Sequence, residues 1–286
     1  MITPFLANGA VDYPSLEKII NHLVTGGIDY IVALGTTGET ATISDKERFE
    51  ILDFILEKTN DRIPIVAGFG GNDTKHVIWS INEYDCSRFA AILSVCPYYN
   101  KPNQNGIYQH YAAIAQNTDC PIILYNVPGR TGINVSADTC IRLAKDFDNI
   151  VAMKEASGDL QQCMDIYRGK PEDFLLISGD DAFTLPFISI GMDGLISVIG
   201  NAYPKAVSSM VNEALNANYS AAKKTHYNLL PLMNMIFEEG SPSGIKVILE
   251  HLNLGSQDVR LPVAPVGDAL RKRILAEVSR FESTSK

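Results

Sequence analysis

The sequence contains no apolar run approaching the roughly 20 residues that a membrane-spanning helix needs. Its N-terminus also lacks the charged-then-apolar pattern of a signal peptide, so neither a membrane span nor export is expected. A basic patch is missing too. The 24 lysines and arginines are scattered among 33 acidic residues, for a formal net charge of −9. That leaves no electrostatic footprint for nucleic acid or an anionic membrane, and an anionic small substrate would need locally placed cations. The five cysteines, Cys86, Cys96, Cys120, Cys140 and Cys163, include no CxxC pair. The expectation is reduced thiols in a cytoplasmic protein instead of a disulfide framework or zinc site. The five histidines show no metal-ligand spacing, so no metal is expected.

What is present is a chain of 286 residues, 46% hydrophobic and 20% charged, long enough to bury a large core. Short apolar or β-branched runs alternate with amphipathic stretches. The strand-like runs are DYIVALG (29–35), IPIVAGF (63–69), FAAILSV (89–95), PIILYN (121–126), NIVAMK (149–154), FLLISG (174–179) and GLISVIG (194–200). Helix starts lie between them: Ser44 with Glu47 forms a capping box, and Asp73 and Ser136 each precede a helical pattern. Strands separated by helices argue for parallel βαβ units, and seven at a spacing of about 25 to 35 residues point to an eight-fold barrel. After Gly200 the pattern is helical, with breaks near 240–243 and 254–265. The expected fold is α/β: a (β/α)8 TIM barrel over residues 1–215 with a C-terminal helical extension over 216–286. The eighth strand should come first in sequence. Only Met1, Ile2 and Thr3 precede Pro4, which predicts a first strand cut short, and with it either natural residues missing upstream or a distorted barrel seam.

In such a barrel, chemistry belongs at the C-terminal ends of the strands. The polar stretches there are, in order, GTTGE (35–39), CPYYNKP (96–102), YNVPGRTG (125–132), KEASG (154–158), SGDD (178–181) and SVIGN (197–201). Each has a plain alternative. Lys154 could reach solvent or pair with Glu155, but strand alternation puts it on one face with Ile150 and small Ala152, which leaves room for a long amine. Burial favours the neutral form of an amine, the form that attacks a carbonyl. GTTGE is either an ordinary turn or a set of hydroxyls and backbone N–H groups able to hold a carboxylate. Tyr98, Tyr99 and Tyr125 could be packing aromatics or proton relays. Arg130 is a solvated loop charge or a clamp for a carboxylate. Asp180 and Asp181 read as helix-capping carboxylates before catalytic acids.

Taken together, these six stretches resemble, in order and spacing, the dihydrodipicolinate synthase family of the pyruvate-dependent class I aldolases, over residues 2 to about 265. The resemblance implies a homotetramer built as a dimer of tight dimers, with no cofactor. It implies that Lys154 forms a Schiff base with pyruvate and that Thr36, Tyr125 and Tyr99 form a hydroxyl relay, Tyr99 acting in the neighbouring site. Thr37 would hold the pyruvate carboxylate. Arg130 would hold the carboxylate of aspartate semialdehyde, and Gly179 and Ile196 would line the pyruvate pocket. Lysine-inhibited relatives bind lysine at positions matching Ala41, Asp45, Arg48, Asn72, His76 and Tyr98. His76 stands where a carboxylate would meet the ligand's ammonium, which predicts weak or absent feedback inhibition.

Three rival functions share parts of this pattern. An N-acetylneuraminate lyase or keto-deoxy-sugar-acid aldolase shares the lysine and the tyrosine, and Arg130 separates it, because a polyhydroxylated substrate wants neutral hydrogen-bonding groups there. A non-catalytic barrel that binds a keto acid predicts a damaged relay, whereas Thr36, Tyr99, Tyr125 and Lys154 are all intact. A pyridoxal-phosphate barrel wants a phosphate cradle at the last loops, and SVIGN offers little of one.

Overall fold

The computed structural model describes residues 1–284. It divides into two compact units: residues 65–196, and residues 1–64 together with those from 197 onward.

The 65–196 unit holds β2 to β7 of the seven described strands, which are β1 (Ile31–Ala33), β2 (Ile65–Gly68), β3 (Ala91–Val95), β4 (Ile122–Asn126), β5 (Ile150–Glu155), β6 (Leu175–Ser178) and β7 (Gly194–Leu195). From β2 to β7 every neighbouring pair is parallel and in chain order. Each of the seven apolar runs contains a strand. β2 and β4 are buried along their whole length, as parallel strands covered on both faces should be. For the same reason burial does not separate the two faces of β5: Met153 is as deeply buried as Ala152 and Ile150. The seventh run is the exception. Only Gly194 and Leu195 pair, and the chain then turns into a short 3-10 helix at Ile199–Asn201.

The helices of this unit start where their caps predict. Asp73 accepts from the backbone of Lys75 and His76 to open Thr74–Glu83, and Ser136 accepts from Thr139 to open Ala137–Asp146. One expectation fails here. Cys86 and Cys120 are joined in a disulfide, while Cys96, Cys140 and Cys163 are free and buried. Sequence spacing misses the pair because its closeness comes from the sheet. Cys86 precedes β3 and Cys120 precedes β4, and the parallel pairing of those strands leaves the two Cα atoms 6.1 Å apart, within disulfide reach.

The other unit carries β1 and six longer helices: Tyr13–Thr25, Asp45–Thr59, Pro204–Leu215, Tyr219–Met235, Ser243–His251 and Asp268–Thr284. The breaks between the last three fall at both predicted places. The capping box at Ser44 and Glu47 is formed, an arrangement worth about 1 kcal/mol. Residues 1–3 are in no assigned strand, but they are held beside β1: the Met1 amino group donates to Val32 O at 2.7 Å and Ile2 N to Asn201 Oδ1 at 2.9 Å.

Candidate active site

The centre of the 65–196 unit's polar rim is the junction of β4 and β5. The β5 strand has one extra residue, Val151: Ile122 pairs with Ile150, but Ile123 already pairs with Ala152. This bulge sets Tyr125 opposite Lys154 and Asn126 opposite Glu155. Lys154 is 8% exposed, and its Nζ lies 4.1 Å from the centroid of the Tyr125 ring. β6 supplies the adjacent wall. Gly179 donates its N–H to Glu155 O at 2.8 Å, and a Cβ at position 179 would fall 2.9 Å from Lys154 Cε and 2.7 Å from Ala156 Cβ. Only glycine therefore leaves space for the lysine stem. Ile196 follows β7, with its N–H on Ser178 O at 2.9 Å.

Glu155 is not the partner of Lys154. Its carboxylate accepts from Ser157 N at 2.6 Å, Gln162 Nε2 at 2.9 Å and Asn126 Nδ2 at 3.0 Å. Burial pushes its pKa up, and the donors from Asn126, Ser157 and Gln162 pull it back.

Arg130 stands exposed on the short helix Pro128–Thr131, which ends at Gly132 with φ +72°. Tyr99 is 89% exposed, and its backbone sits in the left-handed region at φ +71°, unfavourable for an aromatic residue; Lys101 follows at φ +45°. Held backbone strain of this kind costs on the order of 1–3 kcal/mol per residue and collects at functional sites. Of the positions expected to bind lysine, this unit brings Asn72 and Tyr98 together: Asn72 Nδ2 donates to Tyr98 O at 3.1 Å, and Asn100 Nδ2 returns to Asn72 O at 2.9 Å. His76 lies on the next helix, its ring stacked on Trp79. The helix cap expected of Asp180 and Asp181 is not made: Asp180 accepts from Ala182 N and Phe183 N in the turn, while the helix Thr184–Ser189 starts after Phe183 without a side-chain cap.

In the other unit, Thr36 and Thr37 form the 3-10 turn Thr36–Gly38, which ends at Glu39 with φ +55°. Glu39 is buried and held by Lys246 Nζ at 2.6 Å and by the Arg260 backbone N–H at 3.0 Å. Lys246 also donates to Asp258 O, and burial holds its amine below the usual lysine range while Glu39 pulls the other way. The Arg260 guanidinium donates to Gly9 O, Thr42 O and both oxygens of Glu47, and its hydrogen bonds draw the Glu47 carboxyl down to about 2. Both cations lie over the Phe5 ring, at 4.5 and 4.4 Å. Ala41 lies in the next turn, and Asp45 and Arg48 pair at 3.9 Å in the first turn of their helix.

Sequence reasoning missed Lys246, Arg260, Asn126 and Gln162. A signal existed for Lys246, a lone cation inside the apolar run GIKVIL, and for the polar pairs YN and KE ending two neighbouring strands. Among the described residues no group of three or more His, Cys, Asp or Glu is placed to hold a metal ion, and no helix is long and apolar enough to cross a membrane.

Comparison with known proteins gives a consistent picture. The family model described as the dihydrodipicolinate synthetase family matches residues 1–280. A relative from Flavobacterium psychrophilum named 4-hydroxy-tetrahydrodipicolinate synthase is 47% identical over 274 residues, 96% of this chain and 94% of its own. Among solved structures, dihydrodipicolinate synthase from Aquifex aeolicus superposes with a TM-score of 0.96 at 34% identity, covering 99% of this chain and 96% of that one. The enzyme from Acinetobacter baumannii, chloride-inhibited and complexed with pyruvate, gives 0.95 at 38% identity, covering 99% and 97%.

Proposed function

The chain belongs to the dihydrodipicolinate synthetase family, and from that premise we propose that it condenses pyruvate with L-aspartate 4-semialdehyde to give 4-hydroxy-tetrahydrodipicolinate. This is a step of lysine and diaminopimelate biosynthesis. The observation that carries the reading is the buried amine of Lys154 at the end of β5, 4.1 Å from the ring of Tyr125 across the strand pair. Support comes also from the Acinetobacter baumannii relative, which was solved with pyruvate.

The neutral Lys154 amine attacks the ketone carbon of pyruvate, and loss of water leaves an iminium. The iminium acidifies the methyl group, which as a plain ketone's holds its proton too tightly. Loss of that proton gives an enamine, whose carbon adds to the aldehyde. The acceptor's own amine then closes the ring on the iminium carbon and releases Lys154. Tyr125, Thr36 and Tyr99 are assigned to proton transfer, with Tyr99 serving the neighbouring site of a tight dimer; its exposure and strained backbone support that role. Thr37 takes the pyruvate carboxylate and Arg130 that of the semialdehyde, while Gly179 and Ile196 line the donor's pocket. The proposal extends to an eight-stranded barrel over residues 1–215 with helices beyond it and to a homotetramer, both as the family resemblance implies, and to a cytoplasmic location.

Borohydride reduction in the presence of pyruvate should add a three-carbon unit to Lys154, read by peptide mass spectrometry, and leaving out the keto acid should abolish it. A folded sample without the adduct overturns the reading. His76 supports weak or absent inhibition by lysine, and full inhibition at low lysine in an activity assay would refute that.

A further inference from the structure

We propose that Glu155 is a positioning residue: hydrogen-bonded behind the strands, it fixes the register that sets Lys154 against Tyr125. The inference rests on the Schiff-base reading of Lys154 and adds a residue to it.

The bulge at Val151 makes register a live question. With no extra residue in β5, Tyr125 would stand opposite Met153, and Asn126 opposite Lys154. A slip by one residue turns every side chain to the other face of the sheet, so the amine would leave the rim. Apolar packing does little to forbid that slip, because both faces of β5 are buried. Something specific must select the observed pairing.

The Asn126–Glu155 pair meets that need. It is the next rung after Tyr125–Lys154, and successive residues point to opposite faces, so it lies behind the reactive pair. Asn126 Nδ2 donates to both oxygens of Glu155, at 3.2 and 3.0 Å. In the slipped register that amide would face a lysine, which has no acceptor to offer. Two further bonds tie the carboxylate to the segment that follows β5: Ser157 N at 2.6 Å and Gln162 Nε2 at 2.9 Å, the latter on the helix Leu160–Gly169.

The same network reaches the loop that bears Arg130. Asn126 Oδ1 accepts from Val135 N at 3.0 Å, and its Nδ2 also lies 2.7 Å from Asn134 Oδ1. Asn134 Nδ2 in turn donates to Gln162 Oε1 at 2.7 Å. Asn134 and Val135 close the loop that leaves β4, so one buried carboxylate orders Lys154, Tyr125 and both ends of the Arg130 turn.

The test is the rate of borohydride trapping of pyruvate on Lys154, measured across pH with the melting temperature recorded alongside. Glu155→Gln should slow trapping at least 10-fold and shift its pH profile, and Asn126→Asp added to Glu155→Gln, which exchanges amide and carboxylate across the rung, should restore most of the rate. A purely structural role predicts a lowered melting temperature with trapping and pH profile unchanged. That result, or a swap that restores stability but not trapping, overturns the proposal. Should Glu155→Gln not fold, Gln162→Leu is read instead: slowed trapping supports the proposal and a wild-type rate overturns it. A wild-type protein that traps nothing marks instead the failure of the Lys154 reading, and the inference falls with it.

Discussion

Glu39 and Glu155 each belong to a strand-end motif, each is buried, and they are held by opposite means. Glu39 is met by charge, the ammonium of Lys246, with one backbone N–H from Arg260. Glu155 is met by neutral donors alone: two side-chain amides and a backbone N–H. The difference teaches how each region must fail. An ion pair out of water is costly to bury and costlier to break, because the surviving charge has nothing to offset its lost hydration. A carboxylate among dipoles loses one bond at a time, and geometry suffers before stability does.

The largest effect should come from breaking the charged side. Lys246→Met leaves Glu39 buried and unpaired, and urea unfolding should show a loss of about 3–5 kcal/mol. Adding Glu39→Gln should recover much of it, and a double variant as unstable as the single would erase the contrast.

A third buried ionisable group sharpens the comparison from the neutral side. His110 is partnered by Thr74 Oγ1 at 2.9 Å and packs edge-on against Tyr111, and burial lowers its pKa to about 4. A depressed histidine binds its proton more readily unfolded than folded, so its contribution is complete above the unfolded value and is lost as pH falls. Between pH 6.5 and about 4 the linked loss approaches about 3 kcal/mol. Denaturation midpoints of His110→Phe should therefore fall less steeply with acidification than those of the wild type; parallel curves would show that this histidine is not held neutral.

Smallest in stability is Glu155→Gln, expected to cost about 1–3 kcal/mol at most. Because its carboxyl is raised by burial, the stability that the proton contributes is present below the ordinary carboxylate range and is lost as pH rises through the raised value. The wild type should therefore exceed the variant by more at pH 4 than at pH 7. A loss as large as that of Lys246→Met would mean that neutral donors and a counter-ion are not different solutions here.

Much of this was legible in the residues. The seven apolar runs contain the seven described strands because parallel strands buried on both faces read as continuous hydrophobic segments. Ser44, Asp73 and Ser136 announced helix starts because capping is settled within three residues. Lys154 stood out as a cation ending a buried strand. The plain alternative, a Lys154–Glu155 pair, fails because neighbours on a strand face opposite ways, and that carboxylate is met by Asn126, Ser157 and Gln162. The disulfide went unseen because Cys86 and Cys120 are 34 residues apart, brought near only by the pairing of β3 with β4.

The sequence by itself therefore determined the alternation of strands and helices, the helix caps, and the presence of an amine and a tyrosine at the ends of consecutive strands. Local preferences reach only a few residues, and that is all these features require. Tertiary structure alone decided that one extra residue in β5 brings Lys154 opposite Tyr125, and that Glu39 meets a lysine 207 positions away. A side chain's partner is chosen by which backbones lie adjacent and in what register, and that choice is made by the whole core closing at once.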